Sequence, residues 1–162
     1  MGCLGGYRAI TRDALDKLRA VPRKDRLPDY LDGEMATVAA YDVDKAWDAM
    51  HRALTGSRLE FGNTPAPGCW AVLGGEVLRG DREENYLVVC KSPKQVRQVD
   101  QFLQGLTEKA FRRLYFAIDP EAYGYPLDEE DFAYTWENLS GSRPFWHSAA
   151  EKGLWVLFDV DQ

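Results

Sequence analysis

Histidine and cysteine, the residues on which most metal and nucleophile sites depend, are scarce in this sequence. Its 162 residues include two histidines, and the patterns GxGxxG, GxxxxGK[ST] and HExxH are all absent. The three cysteines, Cys3, Cys69 and Cys90, form no CxxC pair, which favours reduced thiols over a disulfide framework or a zinc site. We therefore predict no metal, no cofactor and no catalytic set, and we favour a protein that is not an enzyme.

Long apolar runs are also missing. None approaches the roughly 20 residues that a membrane-spanning helix requires, and the N-terminus lacks the charged and apolar regions of a secretory signal. The start MGCLGGY has Gly6 where the myristoylation pattern requires serine or threonine. Together with the unpaired cysteines, these absences predict a cytoplasmic protein that does not contact the membrane.

Positive charge is in deficit. Twenty lysines and arginines against 26 aspartates and glutamates give a net charge of −6. This balance disfavours non-specific binding to nucleic acid, because basic side chains must neutralise the phosphates. Hydrophobic residues make up 45% of the chain and charged residues 28%, a composition typical of a globular domain. At this length we predict a single domain over residues 1–162.

The patterns that are present alternate between strand and helix. Short alternating or β-branched runs predict strands at CLGGYRAI, ATVAAYDV, YLVVCK and LWVLFDV. Cap residues predict helices that begin near Thr11, Asp44, Ser92, Thr107, Asp128 and Ser142. CWAVLGGEVL is interpreted as a helical turn broken at Gly74-Gly75, and RGDREEN as an exposed turn. The sequence thus predicts an α+β domain with a mixed β-sheet of about four or five strands covered by several helices.

The segment DVDKAWDAMHRALTG predicts a well-marked helix, with Asp44 as its N-cap and Gly56 as its terminating glycine. When successive residues are placed 100° apart around the helix axis, Trp47, Met50 and Leu54 fall on the same side, which we predict to face the core. The opposite, solvent-facing side is predicted to carry Lys45, Ala49, Arg52 and Ala53. The remaining polar residues of the helix therefore lie on the border between core and solvent.

This border is where a site could lie, and three interpretations remain open. Asp48 and His51 are i, i+3 neighbours, so the carboxylate could orient the imidazole as a general base or metal ligand. The pair could instead fix the helix to a neighbouring loop, or line a binding cleft. The turn Gly74-Gly75-Glu76 could add a carboxylate to such a cleft, or could bind nothing. The candidate site residues are Asp44, Asp48, His51, Thr55 and Glu76.

Acidic and aromatic residues are concentrated after residue 118. Residues 119–137 carry seven acidic side chains and no basic one, whereas residues 1–26 carry seven basic and three acidic side chains. These segments could be two solvated faces, could dock on each other, or could include an acidic surface for a basic partner. The tyrosines could form a recognition patch, wall the core or mediate self-association. The candidate partner surface comprises Tyr123, Tyr125, Asp128, Glu129, Glu130, Asp131 and Tyr134.

Several segments together resemble the YfbM-like family of bacterial proteins, a domain of unknown function. They are MGCLGGYRAITRDALDKLRA, YDVDKAWDAMHRALTG, AVLGGE, LVVCKSPKQV, IDPEAYGYP and FWHSAAEKGLWVLF, and they extend over essentially the whole chain. The most specific match is the helix pattern at residues 42–56, with LGGE in support. The resemblance implies a single soluble α+β domain with a mixed sheet, and it assigns no activity to any residue.

Two hypotheses about function follow. The favoured one is a non-catalytic protein-binding domain with a basic protein partner, for example an immunity-type protein that neutralises a toxin by docking. It rests on the acidic composition, the acidic and aromatic segment and the missing catalytic set. The alternative is a small-molecule-binding protein or an enzyme that uses the Asp48/His51 edge and the Gly74-Gly75-Glu76 turn. The oligomeric state is left open.

Overall fold

A five-stranded β-sheet lies at the centre of the computed structural model, which describes residues 3–22, 26–56, 58–80 and 86–161. The strand order is β2-β1-β5-β4-β3. The strands are β1 (Gly5–Ile10), β2 (Ala39–Asp44), β3 (Glu76–Arg79), β4 (Tyr86–Lys91) and β5 (Trp155–Asp161). The predicted α+β class and the strand number are confirmed.

The direction of the strands corrects one part of the prediction. Every pair of neighbouring strands is antiparallel, whereas the sequence predicts a mixed sheet. A parallel neighbour requires a crossover that returns the chain to the edge where the first strand began. Two successive helices connect β1 to β2, and the chain re-enters the sheet beside β1 in the opposite direction.

Helices cover both faces of the sheet. They are α1 (Arg12–Arg19), α2 (Leu27–Gly33), α3 (Trp47–Thr55), α4 (Pro93–Gly105), α5 (Glu108–Tyr115), α6 (Pro120–Tyr123), α7 (Glu129–Gly141) and α8 (Arg143–Glu151). Thr11, Ser92, Thr107 and Asp128 each accept a hydrogen bond from the backbone N–H three residues later, so these predicted caps are confirmed. Within the described ranges, no helix has both the length and the apolar character needed to cross a membrane.

Strand β3 is the strand that the sequence does not predict. It spans four residues at the edge of the sheet, and none of its side chains is fully buried. Because neither of its faces is buried, it lacks the alternation that marks the other strands. The segment before it contains a short 3-10 helix, Gly68–Ala71, where a helical turn is predicted. Most of the predicted turn RGDREEN, from residue 81 to residue 85, lies outside the described residues.

The two faces of the sheet are buried by different helices. Helices α1 and α2 pack on the face that carries Ile10 and Leu157, while α3 to α8 pack on the other. On that second face Tyr7 contacts Phe158 and Trp146, with ring centroids 5.6 and 5.2 Å apart. Burying one such large side chain stabilises the fold by about 2 kcal/mol. The same layer contains α3, α6 and α7, which carry most of the candidate site residues.

Helix α3 is more deeply buried than its pattern predicts. Asp44 is not its N-cap, because Asp44 ends β2 and the capping position is Ala46, which makes no side-chain hydrogen bond. Gly56 terminates the helix in the left-handed region, with a φ of 75°, as predicted. Arg52, predicted to face solvent, is only 8% exposed. The reason is that α5, α7 and the 3-10 helix all pack against α3.

Candidate functional site

A cleft of about 610 Å³ lies where the end of β2 and the start of α3 meet α6 and α7. Its lining combines carboxylates with aromatic rings. The lining residues are Cys3, Asp44, Lys45, Trp47, Asp48, Tyr123, Tyr125, Asp131 and Tyr134. We call this feature the acidic cleft. It joins two residues of the predicted helix border, Asp44 and Asp48, to four residues of the predicted partner surface, which the sequence presents as separate candidates.

The backbone of Asp44 adopts a conformation that is uncommon outside glycine. Its φ is 50°, in the left-handed region, which aspartate and asparagine tolerate better than other residues. The Asp44 backbone N–H donates to Oδ1 of Asp42 at 2.8 Å. The Tyr134 hydroxyl donates to Oδ2 of Asp44 at 2.8 Å and accepts from the backbone N–H of Lys45 at 3.2 Å. These bonds fix the Asp44 carboxylate at the cleft.

Asp131 is held by phenol groups. Its Oδ2 accepts hydrogen bonds from the hydroxyls of Tyr115 and Tyr123, the latter at 3.0 Å. Burial raises the pKa of Tyr123, and the negative charge of Asp131 raises it further, so this phenol stays protonated and donates. Among the described residues, neither Asp131 nor Asp44 forms an ion pair. Both carboxylates therefore bring to the acidic cleft negative charge that no ion pair with a described residue neutralises.

Asp48 is neutralised within its own helix. Arg52 Nε donates to its Oδ1 at 2.5 Å across one helical turn. Burial raises the pKa of the Asp48 carboxyl, and the charge of Asp131 raises it further, while Arg52 lowers it. The sequence suggests that Asp48 could orient His51, but these two described side chains form no hydrogen bond with each other. Asp48 thus contributes an oxygen to the cleft but little free charge.

His51 lies away from the acidic cleft and binds backbone groups. It is 1% exposed, with Nε2 placed 3.1 Å from the Glu60 carbonyl and Nδ1 accepting from the Leu73 N–H at 3.4 Å. Burial lowers the pKa of His51 to about 4. The Thr55 hydroxyl lies within hydrogen-bonding distance of the His51 and Arg58 carbonyl oxygens. Of the three interpretations of this border, the contacts of His51 and Thr55 fit the fixing of α3 to its neighbouring loops.

We expect the protein to lose stability on mild acidification because of His51. Its pKa is depressed in the fold, so the unfolded chain binds more protons below the ordinary pKa of about 6.5. Between pH 7 and pH 5.5 the free energy of unfolding should fall by about 1 kcal/mol from this group alone. Urea unfolding across this range measures the slope. A His51→Gln variant should lose this component, and an unchanged slope in that variant would refute the assignment.

The family-like segment AVLGGE receives hydrogen bonds from distant side chains. Tyr7 donates its hydroxyl proton to the Ala71 carbonyl at 2.6 Å, and Lys91 Nζ donates to the Val72 carbonyl at 2.5 Å. The Gly75 N–H donates to Asn63 Oδ1 at 3.1 Å. The bonds to Ala71, Val72 and Leu73 satisfy buried backbone groups, and the bond from Gly75 is exposed. The segment therefore has a structural role in joining β1, α3 and β4.

Glu76 is on the other side of the molecule from the acidic cleft. It lies at the start of β3 and pairs with Arg19 of α1 at 2.6 Å. Asp48, His51 and Glu76 do not converge on one cavity. The other ion pairs between described residues of the basic N-terminal segment and their partners are Arg8–Asp32, Arg8–Asp159, Arg12–Asp16 and Lys17–Asp13. In the described part of the chain, this segment is therefore not paired with the acidic residues 119–137.

The predicted partner surface continues beyond the acidic cleft. A second, more open groove of about 330 Å³ is lined by Tyr125, Pro126, Asp128, Glu130, Asp131 and Tyr134. It shares Tyr125, Asp131 and Tyr134 with the cleft. We call it the acidic groove. Glu129 faces elsewhere and forms an ion pair with Arg112. Six of the seven predicted surface residues therefore lie along one continuous depression.

Comparison with known proteins identifies the family. A family model described as a domain of unknown function, DUF1877, matches residues 1–159. The chain belongs to the DUF1877 family. This agrees with the YfbM-like resemblance, because the crystal structure of YfbM from Escherichia coli, a protein of unknown function, matches 97% of this chain and 99% of its own. The two are 19% identical with a TM-score of 0.69, which shows a shared fold. The curated proteins give no match.

Membership of DUF1877 assigns no ligand and no reaction to the site, so we infer what the site could bind from its geometry. Among the described residues of this DUF1877 chain, no group of three or more histidine, cysteine, aspartate or glutamate side chains could hold a metal ion. Cys3, Cys69 and Cys90 are free thiols. The arrangement at the acidic cleft offers fixed carboxylate oxygens beside aromatic rings, which is suited to binding a cation. Trp47 belongs to the core, as the helix pattern predicts, and it also lines the cleft, which the pattern does not indicate.

Proposed function

We propose that this DUF1877 protein is a non-catalytic binding domain that docks a basic segment of a partner protein. The observation that supports this most strongly is a pair of carboxylates, Asp44 and Asp131, that form no ion pair with any described residue and lie in a cleft walled by tyrosines and Trp47. A basic side chain entering the cleft would be attracted by both carboxylates and by the ring faces. The acidic groove extends the same negative surface for the residues that flank it.

An enzymatic function of the Asp48 and His51 edge receives less support. His51 is buried against backbone groups, and its depressed pKa leaves it neutral at pH 7. Asp48 is bound to Arg52. A general base must reach a substrate proton to act, and His51 is enclosed by its own fold. A neutral, inaccessible imidazole favours a binding role for the chain over a catalytic one.

A more specific version of the proposal is an immunity-type protein that neutralises a basic toxin in the cytoplasm. The acidic cleft and groove would provide charge complementarity, which speeds association and selects partners. The free thiols fit a reducing compartment. The genes adjacent to this one test the version directly: a toxin gene there, whose product binds the cleft, is the expected finding.

The general proposal is tested with basic peptides on the full chain. We expect a peptide of alternating lysine and arginine to bind in low salt, and an acidic peptide of equal length not to bind. An Asp44→Asn/Asp131→Asn double variant should weaken binding about tenfold, because each carboxylate contributes roughly 1 kcal/mol or less at a partly exposed site. Asparagine keeps the acceptor for Tyr134 and tolerates the left-handed backbone of residue 44.

The matched control is the Asp13→Asn/Asp16→Asn variant. It removes the same charge from α1, where the two carboxylates pair with Lys17 and Arg12 on the opposite face of the sheet. Isothermal titration or tryptophan fluorescence measures the affinities. Equal losses in the two double variants would mean that only net charge matters, and the proposed site would be wrong. Absence of basic-peptide binding to the unmodified protein would refute the function itself.

A further inference from the structure

Resting on that proposed function, we propose that the acidic cleft selects a lysine ammonium of the partner over an arginine guanidinium. The arrangement of oxygens in the cleft carries this inference. Asp44 presents Oδ2 to Tyr134, and Asp131 presents Oδ2 to Tyr115 and Tyr123. In the part of the chain that the structure describes, Oδ1 of each carboxylate accepts no hydrogen bond.

Single free oxygens on two different carboxylates suit an ammonium. An ammonium is a compact charge with three donors that can point in different directions, which suits acceptor oxygens on two different carboxylates. A guanidinium binds best when both oxygens of one carboxylate accept its parallel N–H groups. Oδ2 of Asp131 accepts from two phenols, which leaves it no acceptor site for the second arm of a guanidinium. Oδ2 of Asp44 accepts from the phenol of Tyr134 and keeps one of its two acceptor sites, so a forked guanidinium there must share this oxygen with Tyr134.

The aromatic lining adds to the attraction for a cation. The rings of Tyr123 and Tyr125 lie 5.3 Å apart at an angle of 60°. Trp47 is nearly buried below the same cleft, whereas Tyr125 is 66% exposed. A lysine side chain would lay its apolar stem against these rings while its ammonium reached the carboxylates. The exposure of Tyr125, large for an aromatic side chain, is then explained as a contact surface that the partner covers.

The acidic groove favours an ammonium that belongs to a protein over the ammonium of a free amine. A small amine would fill the cleft and leave the groove empty. The groove continues from the cleft through Tyr125, Asp131 and Tyr134 and adds Asp128 and Glu130, two further exposed carboxylates. A chain with additional basic residues on either side of the inserted lysine would place them along it.

Lys45 provides a second, independent test of this proposal. It lines the cleft, it is exposed, and no ion pair with a described residue occupies it. Its charge opposes an incoming ammonium. Replacing it by glutamine should therefore tighten the binding of a lysine peptide, which is a gain that misfolding cannot imitate.

The experiment compares oligolysine, oligoarginine of equal length, side-chain-acetylated oligolysine and free n-butylammonium on the full chain. Oligolysine is expected to bind about tenfold more tightly than oligoarginine, since a charge-assisted bond made by one and not the other is worth roughly 1.5 kcal/mol. Acetylated oligolysine should not bind, and n-butylammonium should bind at least about a hundredfold more weakly because the groove contributes nothing to it. Tyr125→Ala should weaken the binding of oligolysine, and Lys45→Gln should strengthen it.

The outcomes separate the inference from the function on which it rests. Equal or tighter binding of oligoarginine would overturn the lysine preference and leave the basic-segment function standing. Failure of both peptides would overturn both. Binding of n-butylammonium as tight as that of oligolysine would show a small-amine site and overturn the assignment to a protein partner.

Discussion

Replacing Gly75 by alanine is expected to destabilise the protein by about 3 kcal/mol or more. Gly75 has a φ of +119°, a conformation that side-chain-bearing residues rarely adopt. A Cβ at this position would lie 2.4 Å from the Cys90 carbonyl oxygen, a backbone atom of β4 that cannot move without disturbing the sheet. Backbone strain and this collision therefore add, and chemical denaturation should show a large drop in the unfolding midpoint.

The control for this substitution is Gly33→Ala at the end of α2. No atom lies within 4 Å of a Cβ built at Gly33. Alanine in a helix is favoured over glycine by about 0.5–1 kcal/mol, so the control should be neutral or slightly stabilising. If Gly75→Ala were as stable as Gly33→Ala, the account of the AVLGGE segment as a close-packed junction would be wrong.

The second large effect is a rise in stability with pH that originates at Lys91. This lysine is fully buried, donates to the Val72 carbonyl and lies 5.4 Å from the centre of the Phe158 ring. Burial lowers its pKa to about 7. The unfolded chain, with an ordinary lysine pKa near 10.4, then binds more protons above pH 7, so stability increases with pH. Between pH 7 and pH 9 the gain from this group should be about 2 kcal/mol.

Comparison with Lys91→Met isolates this component. Burial raises the pKa of Cys90 to about 12, and this thiol acts in the opposite direction as pH approaches 9, so the unmodified protein alone shows a reduced slope. The Lys91→Met variant should lose the rise, whatever its stability at pH 7. Lys94→Met, which removes an exposed lysine three residues later, should keep it. Parallel slopes in all three proteins would contradict a depressed pKa at Lys91.

Much of the fold could be predicted because local patterns determine it. The β-branched and alternating runs give four strands, and Thr11, Ser92, Thr107 and Asp128 mark helix starts by their capping chemistry. Strand β3 could not be predicted, because an exposed edge strand has no buried face to impose a pattern. Strand direction was equally beyond reach, since it depends on how paired helices return the chain to the sheet.

The candidate site was predictable in its parts and not in its assembly. Asp44 and Asp48 stand out on a helix border, and Tyr123, Tyr125 and Tyr134 stand out in an acidic segment. Their meeting depends on contacts such as that between Tyr134 and Asp44, which lie 90 residues apart. The role of His51 depends on the Glu60 carbonyl and the Leu73 N–H. These are backbone groups that every residue type has, so the sequence does not indicate that they bind His51. Lys91 is visible as a charged residue within YLVVCK, but its burial is decided by the neighbouring strands.

The strand order has a consequence for how the chain acquires its structure during synthesis. The central strand of the sheet is β5, which pairs with β1 on one side and β4 on the other, with Tyr7 opposite Phe158. Local contacts can form helices early, but the middle of the sheet must await a strand made about 150 residues later. Until then the inner faces of β1 and β4 have no common neighbour, and their apolar side chains are available to chaperones or to aggregation. Completion of β5 is therefore the step at which the two apolar layers can form together.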